Sequence, residues 1–209
     1  MVQIRDIAVD FGGNDFLLPY FRRELGVTED DAPFDSVAAV KIVTDITEPS
    51  ADTSFDDFCR DRRLPVTVLQ SPCIVGTGMR GLPRRIAAGI YKGSYVHIAG
   101  NEARVSVVHA TDVARAAAMA AGTSGTFNLT DLTDPTVHDL AEALSWRLGQ
   151  KRIFTIAPRW ARLWLGSQFY TQLTTSRTIP ETFSHLFTDF TPVSVTEYLK
   201  NHIYDEQSL

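Results

Sequence analysis

The chain carries only two cysteines in 209 residues, Cys59 and Cys73, and they do not stand at metal-ligand spacing. A secreted disulfide framework is therefore excluded, and a reducing compartment, the cytoplasm, fits better. A basic excess is also lacking: 25 acidic residues against 20 basic ones leave a formal net charge of −5. Nucleic-acid binders carry a basic patch or stripe, so no nucleic-acid partner is expected. No uncharged apolar run approaches the ~18 residues of a membrane helix. Met1 to Asp6 show no basic start leading into an apolar stretch, so no secretory signal and no membrane association are expected. The nearest apolar stretch, Ile153 to Leu165, is broken by Pro158, Arg159 and Arg162. Its Trp160 and Trp164 read as part of a helix packed over a pocket or core.

What is present is ordinary for a globular protein, with 44% hydrophobic and 22% charged residues. Val2 to Phe11 reads as one strand closed by Gly12-Gly13, and Phe16 to Leu25 as a short helix ending at Gly26. Thr28 to Pro33 is a polar loop. Ser36 to Ile46 suits a strand or a buried helix, because Val37, Val40, Ile42, Val43 and Ile46 satisfy either period. Ser54 to Arg63 is helical, Pro65 to Leu69 is a buried strand, and Leu82 to Tyr91 is a helix with Pro83 in its first turn. Arg104 to Val108 is a strand, after which Thr111 or Asp112 can cap an Ala-rich helix. Phe127 to Leu129 is a short strand. Thr136-Val137-His138-Asp139 has the capping pattern, and the helix it opens places Val137, Leu140, Ala141, Leu144 and Leu148 on one face before Gly149. Ser194 to Glu197 opens a terminal helix through His202. Strands alternating with helices predict an α/β protein with a largely parallel sheet.

Few motifs carry chemistry. Gly76-Thr77-Gly78-Met79-Arg80-Gly81 is a G-x-G-x-x-G, with Glu102 where a ribose-binding acid would stand. Ser71-Pro72 interrupts the strand before it and Pro83 delays the helix after it, which favours a Gly-rich connection over a pyrophosphate turn. There is no nucleophile elbow. His97, His109, His138, His185 and His202 show no metal-binding spacing, so no metal is expected. His109 and Asp112, around a helix start, are read as capping and packing residues.

Several segments, in order, resemble the extended short-chain dehydrogenase/reductase family of NAD-dependent epimerases and dehydratases. Leu64 to Gly78 is similar to that family's late strand and loop, Val107 to Ala114 to its strand-to-helix junction, and Gly125 to Leu129 to a following strand. Together they cover roughly Pro33 to Val195. The resemblance implies a partial Rossmann-type parallel sheet with flanking helices plus a small C-terminal substrate-type lobe. Residues 1–75 form the partial Rossmann-like core. Residues 76–209 carry the remaining core strands interleaved with the lobe, in a single compact unit. It further implies NAD(P) as cofactor, held along Pro72, Cys73, Ile74 and Val75, and a nucleotide sugar as substrate, near Arg104. The family's opening strand, phosphate loop and next strands find no counterpart, and the strand bearing the catalytic Ser or Thr aligns with the start, near Arg5-Asp6. Lys41 stands for the lysine of Tyr-x-x-x-Lys, while Val37 stands where the tyrosine belongs. Valine has no proton to transfer, so Lys41 is a remnant.

The resulting expectation is a catalytically impaired family member acting as a binding or regulatory protein. The alternative is the C-terminal part of a split or truncated oxidoreductase or epimerase. The first strand, Val2 to Val9, would present an unpaired edge that a copy of the chain (a homo-oligomer) or a complementing nucleotide-binding chain would cover. The isolated chain is expected to bind NAD(H) or NADP(H) only very weakly; a micromolar or tighter dissociation constant in calorimetry would overturn this.

Overall fold

The computed structural model describes residues 2–4, 7–25, 36–44 and 53–201. Arg5-Asp6, Gly26, the loop Thr28 to Pro33, Ile46 and His202 lie outside the described residues. Val2 to Phe11 is not one strand. β1 (Val2–Ile4) turns back on β2 (Ile7–Asp10) and pairs with it antiparallel, Val2 opposite Val9. The edge that the sequence leaves open on β2 is thus taken by the chain itself.

After a 3-10 turn at Asp15–Leu17, α1 (Leu18–Leu25) leads to β3 (Ala38–Val43), which settles the helix-or-strand ambiguity of that segment. β3 lies parallel to β2, Val9 opposite Val40. α2 (Thr53–Arg62) leads to β4 (Val66–Gln70), parallel to β3 with Ile42 opposite Leu69. Alternation then assigns the faces. Ile7, Val9, Val40, Ile42 and Leu69 turn to one side and pack with Leu17, Phe21 and other buried apolar residues. Ala8 and Ala39 turn to the other, where Phe55 and Cys59 of α2 cover them. Alanine is the fitting residue there because α2 brings its phenyl ring close to the sheet.

The chain then leaves the sheet. β5 (Ile74–Val75), α3 (Gly81–Tyr91) and β6 (Val96–Ile98) precede β7 (Val108–His109), which pairs with β5. α4 (Ala110–Ala120) returns to cover the first face, and its small side chains let it approach closely. Ala110, Ala114, Ala116, Ala117 and Ala120 are all buried there. β8 (Gly125–Asn128) completes the sheet order β1-β2-β3-β4-β8, parallel to β4. Neither Thr111 nor Asp112 caps α4: His109 does, its Nδ1 accepting from the Thr111 N–H at 3.3 Å.

The second lobe is built from α5 (Val137–Arg147), β9 (Phe154–Ile156), α6 (Pro158–Leu165), α7 (Ser167–Thr174), a short α8 (Phe183–Leu186) and α9 (Val195–Asn201). β9 pairs with β6. α5 has the capping box read from sequence: Asp139 N–H donates to Thr136 Oγ1 at 3.0 Å, and Thr136 N–H to Asp139 Oδ2 at 3.1 Å. Its apolar stripe packs with α3, α7 and α9 around Ile86, Leu140, Leu144, Leu173 and Leu199. α6 differs from expectation. Of its eight residues only Ala161 is buried, and Trp160, Leu163 and Trp164 face outward, Trp164 Nε1–H donating to the Ser94 carbonyl at 2.8 Å. Two buried acids join the lobes. Asp112 of α4 accepts the Val193 N–H at 2.7 Å, and Asp131, beyond β8, accepts the Val195 N–H at 2.8 Å. No helix among the described residues is long and apolar enough to cross a membrane.

The turn after β2 is held tightly. Asn14 Nδ2–H donates to the Phe11 carbonyl at 3.0 Å and to Thr44 Oγ1, just past β3, at 3.4 Å. Gly12 has φ +54°, and a Cβ there would sit 2.3 Å from the Ile42 carbonyl oxygen; Gly13, φ +79°, opens on free space. Gly13→Ala should therefore cost about 1 kcal/mol of left-handed strain alone. Gly12→Ala should cost about 3 kcal/mol, because it also pushes β2 from β3. Urea unfolding of both variants checks this, and equal losses would mean that the close approach is not limiting.

Candidate functional site

In open parallel sheets, ligands bind in the crevice beyond the carboxyl ends of the strands, where loops diverge. The chain has a cavity of about 620 Å³ in that position. Asn14 reaches it from the turn after β2, Thr44 from the end of β3, and Pro72, Cys73 and Ile74 from the segment after β4. The opposite wall is the start of α3 and residues 172–179, which run from α7 toward α8.

Three guanidinium groups line this space, those of Arg80, Arg85 and Arg177, and no carboxylate among the described residues does. Each is positioned by a neighbour. Arg80 donates to the Gly13 carbonyl and stands 3.8 Å from Asp15. Arg85 lies over the Phe169 ring, 4.2 Å from its centroid, and donates to Gln172. Arg177 is fixed through its backbone: its N–H donates to the Arg104 carbonyl at 2.8 Å, and Ser106 N–H donates to the Arg177 carbonyl at 3.0 Å. An arginine-rich, carboxylate-free wall suits a phosphate or diphosphate, which planar guanidinium groups bind bidentately.

The residues singled out in the sequence distribute unevenly around this cavity. Pro72, Cys73 and Ile74 line it, whereas Val75 is fully buried in the lobe core. Arg104 does not line it. Its guanidinium donates to the Asp134 carbonyl at 2.9 Å, and its contribution is the carbonyl that holds Arg177. The sequence reading assigned none of the three lining arginines to a site: Arg80 stood only as part of the Gly-rich motif, and nothing marked Arg177. Lys41 lies on β3 opposite Asp10, and its Nζ meets the Asp56 carboxylate of α2 at 2.9 and 3.1 Å. Val37 immediately precedes the same strand. Four residues of strand span roughly 13 Å, whereas Tyr-x-x-x-Lys needs its two side chains stacked on one helical turn. The alignment of Val37 and Lys41 with that motif is therefore not carried by the local structure.

Part of each glycine turn is already hydrogen-bonded within the chain. In the Gly76 to Gly81 loop, the Thr77 N–H is taken by the Tyr20 hydroxyl at 2.6 Å and the Met79 N–H by the Gly76 carbonyl at 3.1 Å. Gly76 is glycine because a Cβ would meet Ala110 and Tyr20, each at 2.8 Å. The loop is a packing device, as Ser71-Pro72 and Pro83 suggested. In the Gly12-Gly13 turn, the Gly12 N–H donates to Asp10 Oδ1 at 3.0 Å, and Asp15 adds a second negative charge where an anion would approach.

Proton-transfer groups are also missing from the wall. Arginine stays charged, and burial pushes the Cys73 thiol up to about 12, with only the Arg177 charge opposing it. Among the described residues lining the cavity there is no His, Asp, Glu, Lys or Tyr.

No family model matches the chain, and no curated protein sequence matches it either. Solved structures do. The chain has the Rossmann-like α/β fold of the NAD(P)-dependent epimerase type. UDP-N-acetylglucosamine 4-epimerase from Bacillus cereus is 13% identical, with a TM-score of 0.59 over 93% of this chain and 96% of that one. A human epimerase family protein solved with NADPH is 15% identical, with a TM-score of 0.54 over 96% and 82%. The Bordetella bronchiseptica enzyme WbmH, in complex with NAD+, is 13% identical, with a TM-score of 0.55 over 94% and 74%. At these identities the likeness is one of fold.

Burial raises the pKa of both thiols, with Asp56 adding to the effect at Cys59. The thiolate is the reactive form. The folded protein at pH 8 should therefore leave Cys59 and Cys73 unmodified by an aromatic disulfide reagent, and both should react once urea unfolds the chain. Rapid labelling of Cys73 in the native state would mean that the cavity contains an activated thiol.

Proposed function

We propose that the chain is a catalytically impaired protein of the epimerase/dehydratase type, whose cavity binds a diphosphate-bearing ligand, a nucleotide sugar, without turning it over. The observation that carries this reading is the composition of the lining: Arg80, Arg85 and Arg177 line a 620 Å³ space whose described lining residues include no His, Asp, Glu, Lys or Tyr. Epimerase-type chemistry needs a general acid/base within hydrogen-bond reach of the substrate and a bound hydride carrier beside it. The described residues supply electrostatic recognition and neither of those. NAD(P) would supply hydride transfer if it bound, and the amides of Thr77, Met79 and Gly12, already hydrogen-bonded within the chain, would not be available to its pyrophosphate. A regulatory role, in which ligand occupancy is read by another protein, is consistent with recognition without turnover. The alternative, a split oxidoreductase completed by a nucleotide-binding chain, would have to dock on the outer edge of β1, the three-residue strand at that end of the sheet.

UDP and UDP-glucose should bind with affinities that fall as salt is raised, since the contacts are ionic. Arg85→Ala and Arg177→Ala should each weaken binding roughly tenfold or more, the value of one charge-assisted hydrogen bond. Calorimetry measures both, and coupled assays with added NAD+ should register no epimerised or oxidised sugar. Turnover by the wild-type chain, or affinity indifferent to both arginines, would overturn the reading.

A further inference from the structure

We propose that His97, His138 and Glu142 form a binding site for one divalent transition-metal ion with the ligand preferences of zinc. His97 is the central residue of β6, and His138 and Glu142 stand one turn apart at the start of α5. Strand and helix bring together residues far apart in sequence. The two imidazole centroids are 3.8 Å apart at an interplanar angle of 33°, and His138 Nε2 is 3.4 Å from Glu142 Oε1. One donor atom from each of the three side chains lies within 4.8 Å of the other two.

These distances suit a shared ion. Metal–ligand bonds of about 2.0–2.1 Å at tetrahedral angles place donor atoms roughly 3.4 Å apart. The His138–Glu142 pair already has that separation, and the remaining gaps close with small rotations of the two exposed side chains. Two neutral imidazoles and one carboxylate form a ligand set typical of zinc with a position left for water. His138 and Glu142 are 44% and 52% exposed, so an ion can enter from solvent and retain that water. His97 is buried, with its ring against that of His138, so its position is set by the fold and not by solvent.

The surroundings hold the ligands in place. The Tyr95 ring meets His97 edge-on, with centroids 5.8 Å apart at 83°. β6 is paired through both its ends with β9, and the Thr136–Asp139 capping box fixes the turn that carries His138. The competing account is a stack of two histidines beside a helical i,i+4 pair, and the metal titration separates the two. None of the three lines the arginine cavity, so the site is a separate one. A bound ion would tie the β6–β9 pair to α5 and stiffen the second lobe. The sequence carried only the His138–Glu142 half of the signal, a helical i,i+4 pair; the other ligand lies on a distant strand.

The test uses tag-free full-length protein stripped with a chelator and titrated with ZnCl2 by calorimetry and with CoCl2 by visible absorption. One equivalent of zinc should bind with a micromolar or tighter dissociation constant, and cobalt should give a d–d band. Zinc should raise the melting temperature by mass action, while MgCl2 should do nothing. His138→Gln and Glu142→Gln remove half-exposed side chains, so each should melt like the metal-free wild type and bind zinc at least about tenfold more weakly. Failure of the wild type to bind at about 100 µM zinc, a concentration that would saturate such a site, would overturn the proposal. So would zinc binding by both variants with wild-type affinity.

Discussion

Two carboxylates buried between the lobes fix where everything else can lie. Asp112 and Asp131 come from opposite sides of β8, and each accepts a backbone N–H from the segment that opens α9, at Val193 and Val195. Burying a carboxylate is unfavourable unless donors replace its water. Both acids are accordingly pushed above the usual carboxylate range by burial and pulled back by those N–H groups, by Arg115 at Asp112 and by Thr133 at Asp131. Asp131, from a distant part of the chain, accepts the N–H of Val195, the first residue of α9. With α9 anchored, Val195 and Leu199 seat in the core of the second lobe against α5.

The cavity inherits its shape from that clasp and from the sheet. One wall is formed by strand ends, and their positions follow from β2, β3 and β4 lying parallel in register with Gly12 pressed against the Ile42 carbonyl. The other wall, residues 172–179, is tied to the lobe junction by Arg177 and Arg104 backbone hydrogen bonds. Recognition side chains thus sit on segments with little freedom, which reduces the entropy lost when a ligand orders them.

Local patterns were legible in the sequence where one residue type had one physical use. The capping box at Thr136 and Asp139, the apolar stripe of α5 and the buried strand at β4 are set by short-range chemistry and survive in the structure. Elements decided by tertiary context were not. Val2 to Phe11 has a continuous strand-like pattern, and only the hairpin shows where it breaks. Thr111 and Asp112 are both good capping residues, yet Asp112 is drawn to Val193, and the cap falls to His109. The aromatic residues of α6 suggested burial, but the helix offers little more than Ala161 to the lobe. The cavity arginines stayed invisible for the same reason: Arg80, Arg85 and Arg177 are separate in sequence, and only the fold turns them toward one space.

The resemblance of fold rests on packing demands that can be traced to particular atoms. A loop similar to that family's late Gly-rich segment persists here because Tyr20 and Ala110 press against Gly76, a packing demand that holds with or without a cofactor. The strand order persists because apolar alternation and a small-residue face at Ala8 and Ala39 still fit α1, α2 and α4 around the sheet. Neither demand involves a proton-transfer group, so a lineage can lose such a group without disturbing the core. Positive charge facing a cavity obeys a different constraint. Arg80, Arg85 and Arg177 line one cavity, and of the three Arg80 is paired with a carboxylate, that of Asp15 at 3.8 Å. An anion entering such a space would be drawn to the guanidinium groups around it.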